Sequence, residues 1–351
     1  MNNINVAVVG VGSFTKALVE GVAFYSKNPD EERGLMHPVI GRYRIKDIRF
    51  VAAFDVDSRK VGKKLNDAIY AEPNVTKKIT DPVESEALVY RGPTLDGVID
   101  QMRGTFVKES DAPIEDIAKI LKETSTDVVV NLLPTGSEQA TFAYAEAALK
   151  AGCSFINCTP STLATNPEWK QRFENNGLCL LGDDIKSQLG ATMLNRALLS
   201  LLKMRGITVT KSEQENRGGN SDHFNLLYRA HAKEESKREA LSQIIENDPV
   251  KPTVTFTYTG EPSGHKQVSI KIEGELFGRI PISINAFIGD EISINGAGIA
   301  VDAIRVAKFL ADGGRAQKAN HVCAFLMKSP PQQMSDIAAS ESFERALAEK
   351  E

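Results

Sequence analysis

The chain has 351 residues, about two domains' worth at roughly 150 each, and its 42% hydrophobic and 25% charged residues exclude a disordered protein. Its 42 lysines and arginines against 46 aspartates and glutamates leave a formal charge of −4. That excludes the global basic field of a nucleic-acid binder, so any anionic ligand must be held by local lysines.

The first predicted strand runs from Asn5 to Gly10, a short β-branched stretch that stops at glycine as buried parallel strands do. Its opening, MNNINVAVVG, lacks a basic region followed by a cleavage site and is no secretory signal. Gly10-Val11-Gly12-Ser13 follows, and then Phe14, Leu18, Val22 and Tyr25 at helical spacing. Strand, glycine turn and helix form the front half of a dinucleotide site, where backbone approaches a pyrophosphate at the helix N-terminus. Thr15 stands in place of the third glycine of G-x-G-x-x-G. Residues 26–46 are polar and read as an insertion. The second predicted strand, IRFVAAFDVD, ends in Asp55, where an acid receives ribose hydroxyls and disfavours a 2′-phosphate. NAD is therefore expected over NADP.

Apolar runs at 127–134, 153–160 and 177–184 alternate with helical stretches at 137–152 and 166–177, which predicts a doubly wound parallel sheet. Two of these runs end in polar loops at the sheet's carboxyl edge, where ligands of open α/β sheets sit. One holds Pro134, Gly136 and Ser137; the other holds Asp184, Lys186 and Ser187. After about residue 205 the pattern changes. A charged helix near 231–246 precedes three alternating strands at 253–260, 267–278 and 281–290, which predict an antiparallel sheet with one wet face. A helix at 297–312 and the tail CAFLMKSPP complete the chain. The fold expected is α/β, a Rossmann-like doubly wound parallel sheet with an inserted α+β domain.

Lys233 and Lys237 lie four apart on the charged helix, and with Glu234 and Glu235 beside them they read most simply as a solvated face. Lys266 precedes a strand, and Lys328 sits in the apolar tail, where a lone lysine is less routine. The histidines, His223 and His231 included, are too scattered for a metal set and read as solvated or hydrogen-bonded. Cys153, Cys158, Cys179 and Cys323 form no C-x-x-C pair, disulfide framework or zinc spacing. No apolar segment is long and charge-free enough for a bilayer. A reduced, cytoplasmic protein with no metal, membrane or nucleic-acid partner is expected.

The landmarks VAVVGVGS, GLMH, FVAAFDVD, RGPTLDG, LLPTGSE, GDDIKSQLGAT, GGNSDHFN, IEGELFG, DAIRVAK and LMKSPP span nearly the whole chain. With them the sequence resembles the inositol-3-phosphate synthase family of the shorter bacterial and archaeal type. The resemblance implies that NAD stays bound through oxidation, enolisation, intramolecular aldol closure and reduction, turning D-glucose 6-phosphate into 1D-myo-inositol 3-phosphate. It implies catalytic roles for Lys233, Lys237, Lys266 and Lys328, with Asp184 and Lys186 bordering the nicotinamide and Asp302 facing the same cleft. The cofactor contacts it implies are Gly10, Gly12, Ser13, Phe14, Asp55, Pro134, Gly136, Ser137, Asp184, Ser187 and Asp302.

Clustered ammonium groups suit a phosphate dianion and oxygens that gain charge during the reaction, and their repulsion could lower one lysine's pKa enough for proton transfer. The resemblance also implies an NAD-binding domain at 1–203, a catalytic and oligomerisation insertion at 204–295, a return to the first domain at 296–351, and a homotetramer. Arg217 and His223 beside the GGN loop, and the EES link between the helix lysines, depart from the family's pattern. The substrate therefore stays open between glucose 6-phosphate and another hexose phosphate such as fructose 6-phosphate, which some relatives close to a five-membered ring. A plain NAD-dependent dehydrogenase is one further alternative, and a catalytically silent NAD-binding sensor, which would have no need of the four lysines, is another.

Overall fold

The computed structural model describes residues 2–348. Its first half runs β1 (Ile4–Val9), α1 (Ser13–Lys27), β2 (Val39–Ile40), β3 (Tyr43–Arg44), β4 (Ile48–Asp55), α2 (Leu65–Ala68), β5 (Val89–Arg91) and α3 (Ile117–Glu123). Then come β6 (Val128–Asn131), α4 (Glu138–Ala151), β7 (Ser154–Asn157), α5 (Pro167–Asn175) and β8 (Leu180–Leu181). The second half holds α6 (Ala191–Met204), β9 (Thr208–Gly218), α7 (Ser221–Arg229), α8 (His231–Ser242), β10 (Thr253–Tyr258), β11 (His265–Glu275) and β12 (Pro281–Glu291). It closes with α9 (Ile292–Asp312), α10 (Ala319–Leu326) and α11 (Asp336–Ala348).

The near-continuous apolar strands have a simple cause, because each is covered on both faces. Successive side chains of a strand point to opposite faces. In β1, Ile4, Val6 and Val8 enter one core beneath α1 and α9, while Ala7 and Val9 enter another beneath α3 and α4. Val128 and Val130 of β6 share the first core, and Val129 the second. Each large side chain so buried contributes roughly 1.5–3 kcal/mol. The sheet is parallel throughout, in the order β5-β4-β1-β6-β7-β8. Strand order reverses between β1 and β6, and the loops leaving those two strands meet there.

Three features were not legible in the apolar pattern. Residues 26–46 hold the small β2–β3 hairpin, and β5 adds an edge strand beside β4. The expected strand at 177–184 shortens to Leu180–Leu181 because the chain turns away after it to pair with the tail. Asp183 and Ser329 exchange both backbone hydrogen bonds, at 2.9 and 3.0 Å, and the Lys328 N–H donates to the Asp184 carbonyl at 2.7 Å. The tail thus forms a clasp on the carboxyl edge of the first sheet.

The second sheet has the order β10-β9-β11-β12. It is mixed, which corrects the antiparallel expectation: β9, β11 and β12 run antiparallel, but β10 lies parallel to β9. Helices α7 and α8 separate β9 from β10 and reverse the approach. One face buries Val209, Val254, Val268, Ile270 and Ile272 against Leu199 and Leu202 of α6 and Leu241 of α8. The opposite face is polar along β11 but carries Phe287, 66% exposed, on β12. Among the described residues no helix is long and apolar enough to cross a membrane.

Candidate active site

One deep cleft runs from the β1–α1 turn to the inner face of the second sheet. At its nucleotide end Gly10 has φ +89°, and a Cβ there would come within 2.9 Å of the Leu132 carbonyl oxygen, so only glycine lets the two loops meet. A Cβ on Gly12 would meet nothing within 4 Å. No side chain caps α1, which leaves its first-turn N–H groups for a ligand. Thr15 explains the missing third glycine: its hydroxyl donates to the Gly10 carbonyl at 2.5 Å and closes the turn. Asp55 accepts from the Val11 N–H at 2.7 Å and from the amides of Val56 and Asp57, so this acid also braces the glycine turn. Lys60 stands 3.4 Å from it on the cleft wall.

Ser13, Phe14, Pro134, Asp184, Lys186 and Ser187 line the same cleft, whereas Gly136, Ser137 and Asp302 do not. Gly136 backs onto Arg229, whose guanidinium donates to its carbonyl at 2.7 Å. Ser137 is fully buried just ahead of α4. Asp302 was expected to face the cleft, but it lies on the core side of α9. It accepts there from Arg305 and from His37 Nδ1, the latter at 2.5 Å.

The lysines converge at the other end. On α8 the buried residues are Ser236, Lys237, Ala240 and Leu241, with Lys233 part-buried on the same face, while Glu235 and Glu239 are exposed. The reading as a solvated face is thus overturned: these lysines share the stripe that anchors the helix. Lys237 is 5% exposed, donates to Asn216 Oδ1 at 2.8 Å, and lies 4.7 Å from the centroid of the Phe256 ring. Lys233 donates to Asp222 at 2.7 Å. Lys266 shares the inward parity of Val268, Ile270 and Ile272 on β11 and lies 3.7 Å from Asp290. The clasp brings Lys328 to Asp184, to which it donates at 2.7 Å, and Ser236 donates to the other Asp184 oxygen at 2.9 Å. Lys186 donates to the Ala324 carbonyl at 2.6 Å.

Residues 190–289, from the start of α6 to β12, match the family model described as myo-inositol-1-phosphate synthase. The inositol-3-phosphate synthase of Mycolicibacterium smegmatis is 40% identical over 353 residues, covering 97% of this chain and 97% of that one. This chain belongs to the inositol-3-phosphate synthase family. The synthase of Corynebacterium glutamicum is 40% identical over 361 residues, covering 99% of both chains. Among solved structures, the crystal structure of Ari2 superposes with a TM-score of 0.78 at 31% identity, covering 99% of this chain and 98% of that one.

In this member of the synthase family, burial sets the character of each lysine and the neighbours then divide them. Burial, reinforced by Lys266, Lys328 and Lys233 and opposed by Asp184, pushes Lys237 well below the ordinary lysine range. Burial likewise lowers Lys266 against the pull of Asp290, and lowers Lys186 to about 8 against Asp336. For Lys233 burial also opposes the charge, but Asp222 and Asp184 outweigh it and hold the ammonium above its usual value. The site therefore sets one firm cation, Lys233, beside an amine, Lys237, whose charge burial disfavours. Cys158 also lines the cleft, but burial raises its thiol pKa and so disfavours the thiolate that a nucleophile needs.

Sequence reasoning passed over Lys60, Asn220 and Asp222, and read His223 only as a solvated or hydrogen-bonded histidine beside the GGN loop; all four lie on the cleft wall. Asn220 had a readable signal. It caps α7, its side chain accepting the His223 N–H at 2.9 Å, as an Asn three residues ahead of a helical position often does.

Proposed function

We propose that this protein works in the cytoplasm, converting D-glucose 6-phosphate to 1D-myo-inositol 3-phosphate by oxidation, enolisation, intramolecular aldol closure and reduction. The observation that carries this reading is the cluster of Lys233, Lys237, Lys266 and Lys328 in one cleft with an uncapped helix N-terminus. NAD fits the nucleotide end: the open space at Gly12 and the α1 amides suit a pyrophosphate, and Asp55 suits a ribose. Gly10, Gly12, Ser13, Phe14, Asp55, Pro134, Asp184 and Ser187 would hold it. When bound, NAD supplies a hydride acceptor that later returns the hydride, so none is consumed.

The chain's own residues account for the remaining chemistry. Lys237, unprotonated at its Nζ, removes the proton beside the new ketone. Lys233, Lys266 and Lys328 hold the phosphate and stabilise the oxygens that gain charge at enolisation and ring closure. Asp184 fixes Lys328 and Ser236, and Lys186 ties this loop to α10 through the Ala324 carbonyl.

Incubation with glucose 6-phosphate and NAD, followed by phosphorus NMR, should yield inositol phosphate with no sustained rise in absorbance at the NADH band. Stoichiometric NADH release would instead identify a plain dehydrogenase, and turnover of fructose 6-phosphate alone a five-membered-ring cyclase. For the cofactor, calorimetry should find NAD bound much more tightly than NADP, with Asp55→Ala narrowing the gap. Equal affinities in the unmodified protein would remove the ribose role of Asp55.

The exposed face of the second sheet, with Phe287 at its edge, supports association through that sheet into a homotetramer. Light scattering that finds only monomer at micromolar concentration would refute it.

A further inference from the structure

A sugar phosphate has hydroxyl groups that must donate hydrogen bonds, yet protonated lysines can only donate, and the Lys237 lone pair is committed to the proton beside the ketone. Each acceptor side chain among the lysines already holds at least one donor. Asp184 accepts from Lys328 and Ser236, and Asp222 from Lys233. Asn216 Oδ1 accepts from Lys237 and Gln214.

His223 offers a cleft-lining ring nitrogen with no donor at all among the described residues. It lines the cleft from α7, is 2% exposed, and its Nε2 has no hydrogen-bond partner among the described residues. Its Nδ1 lies 2.9 Å from Asn220 Oδ1, and that oxygen also accepts the His223 backbone N–H, which fixes the orientation of the amide. Nδ1 must therefore carry the hydrogen, leaving Nε2 a bare lone pair. The ring stays neutral, because burial first, and then Lys233, Lys266 and Lys237, push its pKa down to about 4 against the pull of Asp222. Gly218 makes room for it: a Cβ there would come within 2.6 Å of the imidazole.

We propose that His223 Nε2 accepts a hydrogen bond from one hydroxyl of the bound sugar phosphate and so helps to select and orient the substrate. The assignment rests on the sugar-phosphate reading above. A buried acceptor left bare is costly, and a donor hydroxyl removes that cost.

The test is calorimetry on the NAD-loaded enzyme with glucitol 6-phosphate, which lacks the carbonyl needed for ring closure, and with its singly deoxygenated forms. One deoxy form should bind the unmodified enzyme about tenfold more weakly than the parent, the effect of one lost hydrogen bond. His223→Phe should bind the parent about tenfold more weakly and no longer distinguish that deoxy form, while its NAD affinity is unchanged. His223→Gln, which keeps an acceptor, should recover part of the loss. If the Phe variant does not fold, His223→Leu takes its place. A His223→Phe enzyme that binds the parent as tightly as the unmodified one, or keeps its discrimination, overturns this assignment alone. Failure of the unmodified enzyme to bind glucitol 6-phosphate overturns the sugar-phosphate reading itself.

Discussion

Lys237→Ala and Lys328→Ala should each fold, bind NAD normally, and lose on the order of 100-fold or more in kcat/KM with glucose 6-phosphate, the scale of a lost oxyanion partner. Lys233→Ala and Lys266→Ala should also lose most activity. The physical ground is the water-poor cleft: an ammonium there is worth far more to a developing negative charge than one in solvent. The losses need not look alike. A lysine that grips the phosphate should mainly raise KM, whereas Lys237, as the proton acceptor, should lower kcat. Lys119 on α3 serves as the control, because its side chain is 68% exposed, and Lys119→Ala should turn over like the unmodified enzyme. Near-normal kcat/KM in both Lys237→Ala and Lys328→Ala would sink the cluster mechanism.

The same burial predicts an opposite effect on stability. Lys237→Met should make the chain more stable at neutral pH by on the order of 1–4 kcal/mol, the range seen when buried charges give way to apolar groups. Asn216 Oδ1 keeps a donor in Gln214 at 3.2 Å, so the change leaves no bare acceptor there. The sign follows from linkage. The folded-state pKa of Lys237 lies well below its unfolded value of about 10.4, so the unfolded chain holds a proton that the folded chain gives up. The resulting penalty is full below the folded pKa and fades as pH rises toward the unfolded one. Thermal melts should therefore show the Met variant ahead at pH 7 and its lead shrinking toward pH 10. A variant that melts lower, or a lead that ignores pH, would show that Lys237 is not buried at a cost.

Where local pattern carries the information, the chain is readable. The strands β1, β4, β6 and β7 stand in their apolar runs because both faces are covered, and strand parity alone places Lys266 on the side of Val268. Lys233 and Lys237 were obscured by Glu234 and Glu235 beside them, although Ala240 and Leu241 lie in phase with the lysines and mark that face as buried. The direction of β10 was not readable, since alternation gives a strand's faces and not its partner. Asp302 has a local clue in Arg305, three residues on, but its pairing with His37 joins positions 265 residues apart. His223 looks like any histidine until Asn220 is seen to take one of its nitrogens and leave the other bare.

The clasp between residues 183–186 and 326–329 also joins segments that are synthesised far apart in time. Lys328 reaches Asp184 across 144 residues of chain, so the glycine turn after β1 is synthesised long before the cation that pairs with Asp184. Domains form from the N-terminus as a chain leaves the ribosome. A nascent chain can thus shape much of its parallel sheet while Asp184 still lacks its cation and the lysine cleft stands open on one side. Translation that stalls before residue 328 emerges should therefore yield a product whose proposed lysine cluster lacks one of its four lysines.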